Sequence, residues 1–547
     1  QEYRIITSNA DATFGRGSGG HINLVTKSGG NQWHGSVYEY LRNDALDAAD
    51  YFYKANPRPQ FRTEDGRAKT PPFKQNLYGG TFGGRLIRDR NFFFGSYEGF
   101  QQRRLNQTAS NLVVPNADLL RFVPGDLERF FKTFFIDRGI TPASGNPAGT
   151  FTPLPATERN AIVAAGFPAA FFDGNTSNGE AGTVQISAAP PINIEQNAFL
   201  VRTDHHLTDK LTANVRYSFA RSFVTAGSAT PLDTQVAPRQ YQSAAIQLNY
   251  NLTPAQVLEI RGGVLRNRFQ QFTKGGIDQR LQALGVSSEY GILVTAGPSS
   301  APFFRAAVNG AFIDNQTTPQ LSVLHTWQRG NMTWRSGADL RSIHNNVANI
   351  SSGQSVFEFT NSLVGANGIY GANPQATDTV TVSTRLTSYG NNGSGPTTPM
   401  RGYRSRQQEY FVQNDWRVRR DLTLNLGLRY SFFGVWSEVN NALSNLFAVD
   451  GAGNVVPDVN PFKFGRTQNR IVRLTDDLRY YNPDYNNFQP RLGFAYDLFG
   501  KGRTIVRAGY GWYYDRLIQI QFTAAVGNVP YAISSNTANV PFRLSQA

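Results

Sequence analysis

The sequence predicts an all-β chain forming a large antiparallel transmembrane β-barrel, incomplete, with about 13–14 strands present. Three observations predict it. Apolar residues recur at every second position in many short segments. The links between those segments alternate between tight turns and long stretches. Charged residues, mostly arginine, fall on the polar side of the same segments.

The period of 2 is clearest in Leu422-Thr-Leu-Asn-Leu-Gly-Leu-Arg-Tyr-Ser-Phe432. Its even positions are apolar and its odd positions polar or small. Such a segment forms a strand with one apolar and one polar face. Leu211 to Phe219, Ile246 to Leu252 and Leu492 to Leu498 repeat the pattern. Val506 to Tyr514 is less clean, with Ile505 and Tyr513 on the nominally polar face.

Strands are expected near 33–41, 74–86, 91–102, 196–207, 210–222, 239–252, 255–271, 319–329, 331–347, 403–418, 421–436, 488–499 and 503–516. Tight turns fall at Ile87–Arg90, Thr208-Asp209, Thr253-Pro254, Gly330, Arg419-Arg420 and Gly500–Gly502. Long links rich in Gly, Asn, Pro, Ser and Thr fall near 42–73, 103–195, 223–238, 272–318, 348–402 and 437–487. Strict alternation puts every tight turn on one rim and every long link on the other. Transmembrane barrels have this asymmetry, whereas a soluble sandwich has no physical reason to keep it. The first long link also carries an amphipathic stretch, 118–136, expected to form short helices packed within the loop.

The inward candidates are Arg216, Arg261, Arg335, Asp339, Arg341, Arg429, Arg491, Asp497 and Arg507. A closed apolar core would hold so many charges only if they were paired, and a wet or plugged lumen holds them readily. Trp33, Tyr38/Tyr40, Trp334, Trp416, Tyr430/Phe432 and Trp512/Tyr514 lie near strand ends, as interfacial girdles do.

Composition agrees with this reading. The 547 residues include 52 Gly, 24 Tyr and 39 Phe, and mean hydropathy is −0.39. No stretch approaches the roughly 20 apolar residues of a spanning helix, but a spanning strand needs only about 9–11. The net charge of +14 comes from dispersed arginines rather than a dense basic tract, so nucleic acid is not an expected partner. With no Cys, thiolate metal sites and disulfides are excluded.

The motifs of catalysis are weak. Gly15-Arg-Gly-Ser-Gly-Gly20 formally fits a dinucleotide fingerprint, yet a strand follows it where a helix is required. The plainer reading is a tight turn with positive-φ positions. His205 and His206 are adjacent, so on a strand they point to opposite faces and cannot share one metal. Neither a nucleophile elbow nor a phosphate loop is present. No enzyme activity, cofactor or metal is expected.

The opening segment, Phe14-Gly-Arg-Gly-Ser-Gly-Gly-His-Ile-Asn-Leu-Val-Thr-Lys-Ser-Gly-Gly-Asn-Gln-Trp-His-Gly-Ser36, resembles the end of a TonB-dependent receptor plug entering the first barrel strand. Residues 92–99, 488–497 and Arg507–Asp515 resemble the Oar-like branch of these receptors. The resemblance runs from about residue 7 to 516. It implies a plug remnant at 1–32, with a plug turn made of Gly15, Arg16, Gly17, Ser18, Gly19 and Gly20, and a barrel at 33–547. It also implies a place in the bacterial outer membrane, in contact with its lipid. Long extracellular loops would capture a solute, and the TonB complex would supply inner-membrane energy. By their own composition the links near 103–195 and 348–402, which contain Phe, Tyr, Asn and Asp, read either as a carbohydrate- or peptide-binding surface or as lid and surface loops. The coupling segment, a signal peptide and most of the plug would lie upstream, and closing strands downstream. Two other roles stay open: an adhesion or protein-export barrel, and a passive porin. The inward arginines would favour anionic or hydroxyl-rich solutes, or would serve to hold the plug.

Overall fold

A computed structural model describes residues 2–55 apart from 8 and 18, 65–105, 191–227, 234–274, 312–349, 400–441 and 481–517, with short strands and isolated positions elsewhere. The expected helices at 118–136 lie outside the described residues.

Two short strands, β1 (Glu2–Ile6) and β2 (His21–Val25), pair antiparallel with each other. The main sheet begins with β3 (His34–Asn43), β4 (Phe73–Ile87), β5 (Asn91–Leu105), β6 (Pro191–Thr208) and β7 (Leu211–Gly227). It continues with β8 (Thr234–Thr253), β9 (Gln256–Lys274), β10 (Phe312–Arg329) and β11 (Met332–Asn349). It then takes in β12 (Met400–Arg419), β13 (Leu422–Phe433), the two-residue β14 (Ser437–Glu438), β18 (Phe488–Asp497) and β19 (Ile505–Gly511). Between β14 and β18 lies a separate three-stranded sheet of β15 (Ser444–Val449), β16 (Val455–Val456) and β17 (Asn469–Arg473).

The main sheet has 14 strands, every pair antiparallel. Its spatial order follows sequence order from β3 to β19, with β14 paired beside β12 off that path. All thirteen expected strands are present, each paired with its neighbour in the chain.

Register shows why the alternation matters. Gln247, Arg261, Ser322, Asp339, Glu409 and Ser431 stand opposite one another in a continuous row across β8 to β13. One residue along, Leu248, Ile260, Val323, Ala338, Tyr410, Tyr430 and Phe488 make the next row, on the other face. One face of the sheet is polar and charged, and the other is apolar and aromatic. The apolar face is the exposed one: Leu426 is 39% exposed, Leu428 43% and Leu492 54%. Among the described residues no second layer covers it. Charged groups on the opposite face are buried, with Arg429 and Glu409 each 1% exposed. This inverts a water-soluble sheet and matches a wall whose outside meets lipid.

Several expectations are corrected. Tyr38 and Tyr40 do not join an outer aromatic girdle. Val37 takes the lipid side, and Tyr38 turns inward to donate to Glu98 at 2.8 Å. At 37–41 one face carries Val37, Glu39 and Leu41 and the other Tyr38 and Tyr40, so neither face is marked as the apolar one and the pattern cannot set the side. The link expected near 223–238 shrinks to 228–233, because β7 and β8 stay paired up to Gly227 and Thr234. Beyond the lipid zone both faces of a strand are wet, and alternation is no longer required there. Of the described residues beyond 517, Ser535–Thr537 pairs with Val380–Val382, in a sheet separate from the main one.

A small apolar core lies at the long-link end of the inner face. Ile343 and Val347 of β11 and Tyr403 of β12 pack against Trp436, Leu443 and Phe447. The link after β13 therefore folds back over that end, fixed by pairing of Tyr403 with Glu438.

Candidate functional site

Residues 9–26 run across the charged face, and arginines of the sheet hold them by their main chain. Arg491 Nη1 donates to the carbonyls of Ala10 (3.0 Å), Asp11 (2.5 Å) and Phe14 (2.7 Å). Arg429 Nη1 donates to Ala12 O at 3.1 Å, and Ala12 N donates to Gln413 Oε1 at 3.1 Å. Tyr513 Oη donates to Ala10 O at 3.1 Å, beneath the Arg491 guanidinium. Farther along, Arg202 Nη1 donates to Thr26 O at 2.9 Å. Arg335 pairs with Asp11 at 3.0 Å and also with Asp415.

These contacts rest on a buried charge network. Arg429 donates to Glu409 from Nε (2.8 Å) and Nη2 (2.6 Å), and to Asp339 from Nη2 (2.8 Å). Ser431 Oγ donates to Glu409 at 3.2 Å, and Ser322 Oγ donates to Asp339 at 2.5 Å. Gln489 connects Ser431 to Arg491. Strand parity makes the network possible, because residues 409, 413, 429, 431, 489 and 491 all fall on the inner face. Each hydrogen bond to a charged group is worth about 1.5–3 kcal/mol. The same network would be costly if one member were lost.

The glycine-rich turn does hold a positive-φ position. Among its described residues positive φ falls on Arg16 (φ 71°) and not on a glycine. Gly15 serves for close approach instead, since a Cβ there would run into the Arg429 guanidinium and the Glu409 carboxylate. Gly17 and Gly19 are more open, and Gly20 backs onto Ile6 O. Burial pushes the Arg16 guanidinium down to about 10, helped by the nearby charges of Arg341 and Arg516 and opposed by Glu409 and Asp339. Ser18 lies outside the described residues. His21 is pushed below its ordinary value by burial and then by Arg491 and Arg429.

Register puts all nine candidate charged residues on the same, charged face of the sheet, but they do not form one group. Arg335, Asp339, Arg341, Arg429 and Arg491 gather around residues 10–16. Arg261 is paired with Glu259, and Arg216 stands apart on β7. Asp497 instead accepts from Gly502 N at 2.6 Å, closing the β18–β19 turn. Arg507 lines a cavity of about 520 Å³ beside Arg491 and Tyr513. Sequence reading missed Arg202, Glu409, Gln413 and Tyr513. The first three lie on strands from which no charge was named, and only the pairing register brings them to the face of the named arginines. Tyr513 stood out only as an aromatic on the wrong face. His205 and His206 do face opposite ways, toward Thr203 and Phe92 respectively.

Over 99 residues the chain is 35% identical to the TonB-dependent transporter Oar of Myxococcus xanthus, covering 18% of this chain and 9% of that protein. The outer membrane transporter YddB of Escherichia coli aligns with a TM-score of 0.47 at 12% identity, over 94% of this chain and 48% of YddB. The siderophore receptor PirA of Acinetobacter baumannii aligns with a TM-score of 0.43 at 11% identity, over 98% of this chain and 62% of PirA. The chain thus spans less than two thirds of each of these proteins. The family model for the outer membrane beta barrel domain matches residues 25–546, nearly the whole chain, so this protein belongs to that family and its place is the outer membrane.

Proposed function

We propose that the chain is the barrel of a TonB-dependent transporter, with residues 1–32 as the end of its plug and 33–547 as the barrel wall. The observation that carries this reading is the grip of Arg491, Arg429 and Arg202 on main-chain carbonyls at residues 10–14 and 26. A segment held across a lumen by hydrogen bonds is held firmly, yet it can be released without tearing an apolar core. A plug that must yield to an energised pull needs that property. The β1–β2 pair fits the same reading. Tyr3, Ile5, Ile22 and Leu24 share one exposed face, a surface on which further plug structure would pack.

In this reading the long links capture a solute of carbohydrate or peptide type. The polar inner face conducts it past the plug, and the TonB complex supplies the energy. No covalent bond changes, so the side chains bind and position and do not catalyse.

The test compares solute depletion from the medium by cells with and without the full-length protein, before and after a proton uncoupler. Depletion that disappears on both deletion and uncoupling is expected. Normal uptake with lost surface attachment or export in the deletion strain would replace this reading with the adhesion or export one. Uptake indifferent to the uncoupler would point to a passive pore.

A further inference from the structure

A cavity of about 630 Å³ lies between β2 and the inner face of β6 to β11. That volume suits a small-molecule site. Arg202, Arg216, Arg261 and Arg341 line it, against one lining carboxylate, Asp339. The nearby carboxylates are already engaged. Asp204 is held by Arg202, Glu259 by Arg261 and Gln247, and Asp339 by Arg429 and Ser322.

Two arginines are left with capacity. Arg216 stands directly opposite Arg202 across the β6–β7 ladder, a like-charge pairing that normally destabilises. Arg202 is tied to Asp204 and Thr26, whereas Arg216 has no acceptor among the described residues. Arg341 Nε donates to Gln320 at 3.2 Å, and its buried Nη1 is ion-paired with Glu409 at 3.6 Å but makes no hydrogen bond. Buried donors without hydrogen bonds are rare and costly. A guanidinium fork matches the two oxygens of a carboxylate or a phosphate. Neutral donors on Asn214 and Gln247 complete a wall suited to an oxyanion.

We propose that this cavity is an anion subsite on the transport path, in which Arg216 and Arg341 take the carboxylate or phosphate group of the solute as it passes residues 23–26. The subsite rests on the transport reading above and narrows it to acidic solutes.

The test is calorimetric titration of the purified full-length protein in detergent, at low ionic strength, with inorganic phosphate in one arm and citrate in the other. Saturable binding of at least one is expected, and the stronger arm names the anionic group. R216Q and R341Q should each weaken it by ten-fold or more, with R216K in between. K210Q, at the exposed β6–β7 turn, should bind as the parent does. Each variant is first checked for folding by heat-dependent gel mobility. Absence of binding by the parent in both arms, or parental affinity in folded R216Q, would overturn the subsite. Intact anion binding in a protein whose uptake ignores the uncoupler would leave the subsite standing and remove the energised reading.

Discussion

At the scale of single residues, Arg429 is the member whose loss costs most. It is buried, and it neutralises Glu409 and Asp339 while reaching Ala12 O. R429M strands two carboxylates in the interior, and a cost of about 3–5 kcal/mol is expected. Urea unfolding in lipid vesicles measures it, and adding E409L should recover part of the loss. Gly15→Ala drives a methyl group into the same guanidinium, with an expected penalty of about 1–3 kcal/mol on docking of residues 9–26. Gly19→Ala, with open space around it, is the control, and the rate of trypsin cleavage at Arg16 is the readout. His21 adds a pH dependence. Its folded pKa lies below the ordinary value, so the undocked segment binds more protons as pH falls from about 6.5 toward the folded value. Docking should weaken in that window and be unaffected above it. Cleavage should therefore rise on acidification in the parent and stay flat in H21Q.

At the scale of elements, a strand here is defined by which medium each face meets. Leu426 lies mid-strand in β13 on the exposed apolar face, so L426R should cost about 2–4 kcal/mol, and an arginine at Leu422, near the turn, less. Refolding yield into vesicles of the two variants checks the gradient. The same physics explains what could be read in advance. Across the lipid zone, alternation is enforced and the thirteen strands were legible. Past it, β8 runs on to Thr234 and β10 begins at Phe312 with no such constraint, so their extensions were invisible. The β15–β17 sheet was missed because its strands are two to six residues long, too short to establish a period. Docking of residues 9–26 was hidden for another reason. The acceptors are peptide carbonyls, which leave no mark in an amino-acid sequence.

At the scale of the whole molecule, the two faces predict where each tryptophan resides. Trp334 lies on the apolar face and is 37% exposed, while Trp436 is buried in the small core at the long-link end. In single-tryptophan variants reconstituted with brominated lipid, Trp334 emission should be strongly quenched and Trp436 emission hardly at all. Equal quenching would mean that the apolar rows do not face the bilayer.

The anchoring of residues 10–14 has one more consequence. Every amino acid carries the same carbonyl oxygen, so Arg491 and Arg429 grasp a strip of chain without reading its letters. Exchanging Phe14 for another bulky side chain leaves those handholds in place. The tolerance ends at Asp11, whose carboxylate pairs with Arg335, at the buried Ala10 and Ala12, and at Gly15, and a library randomised over 10–15 would separate these positions from the indifferent ones.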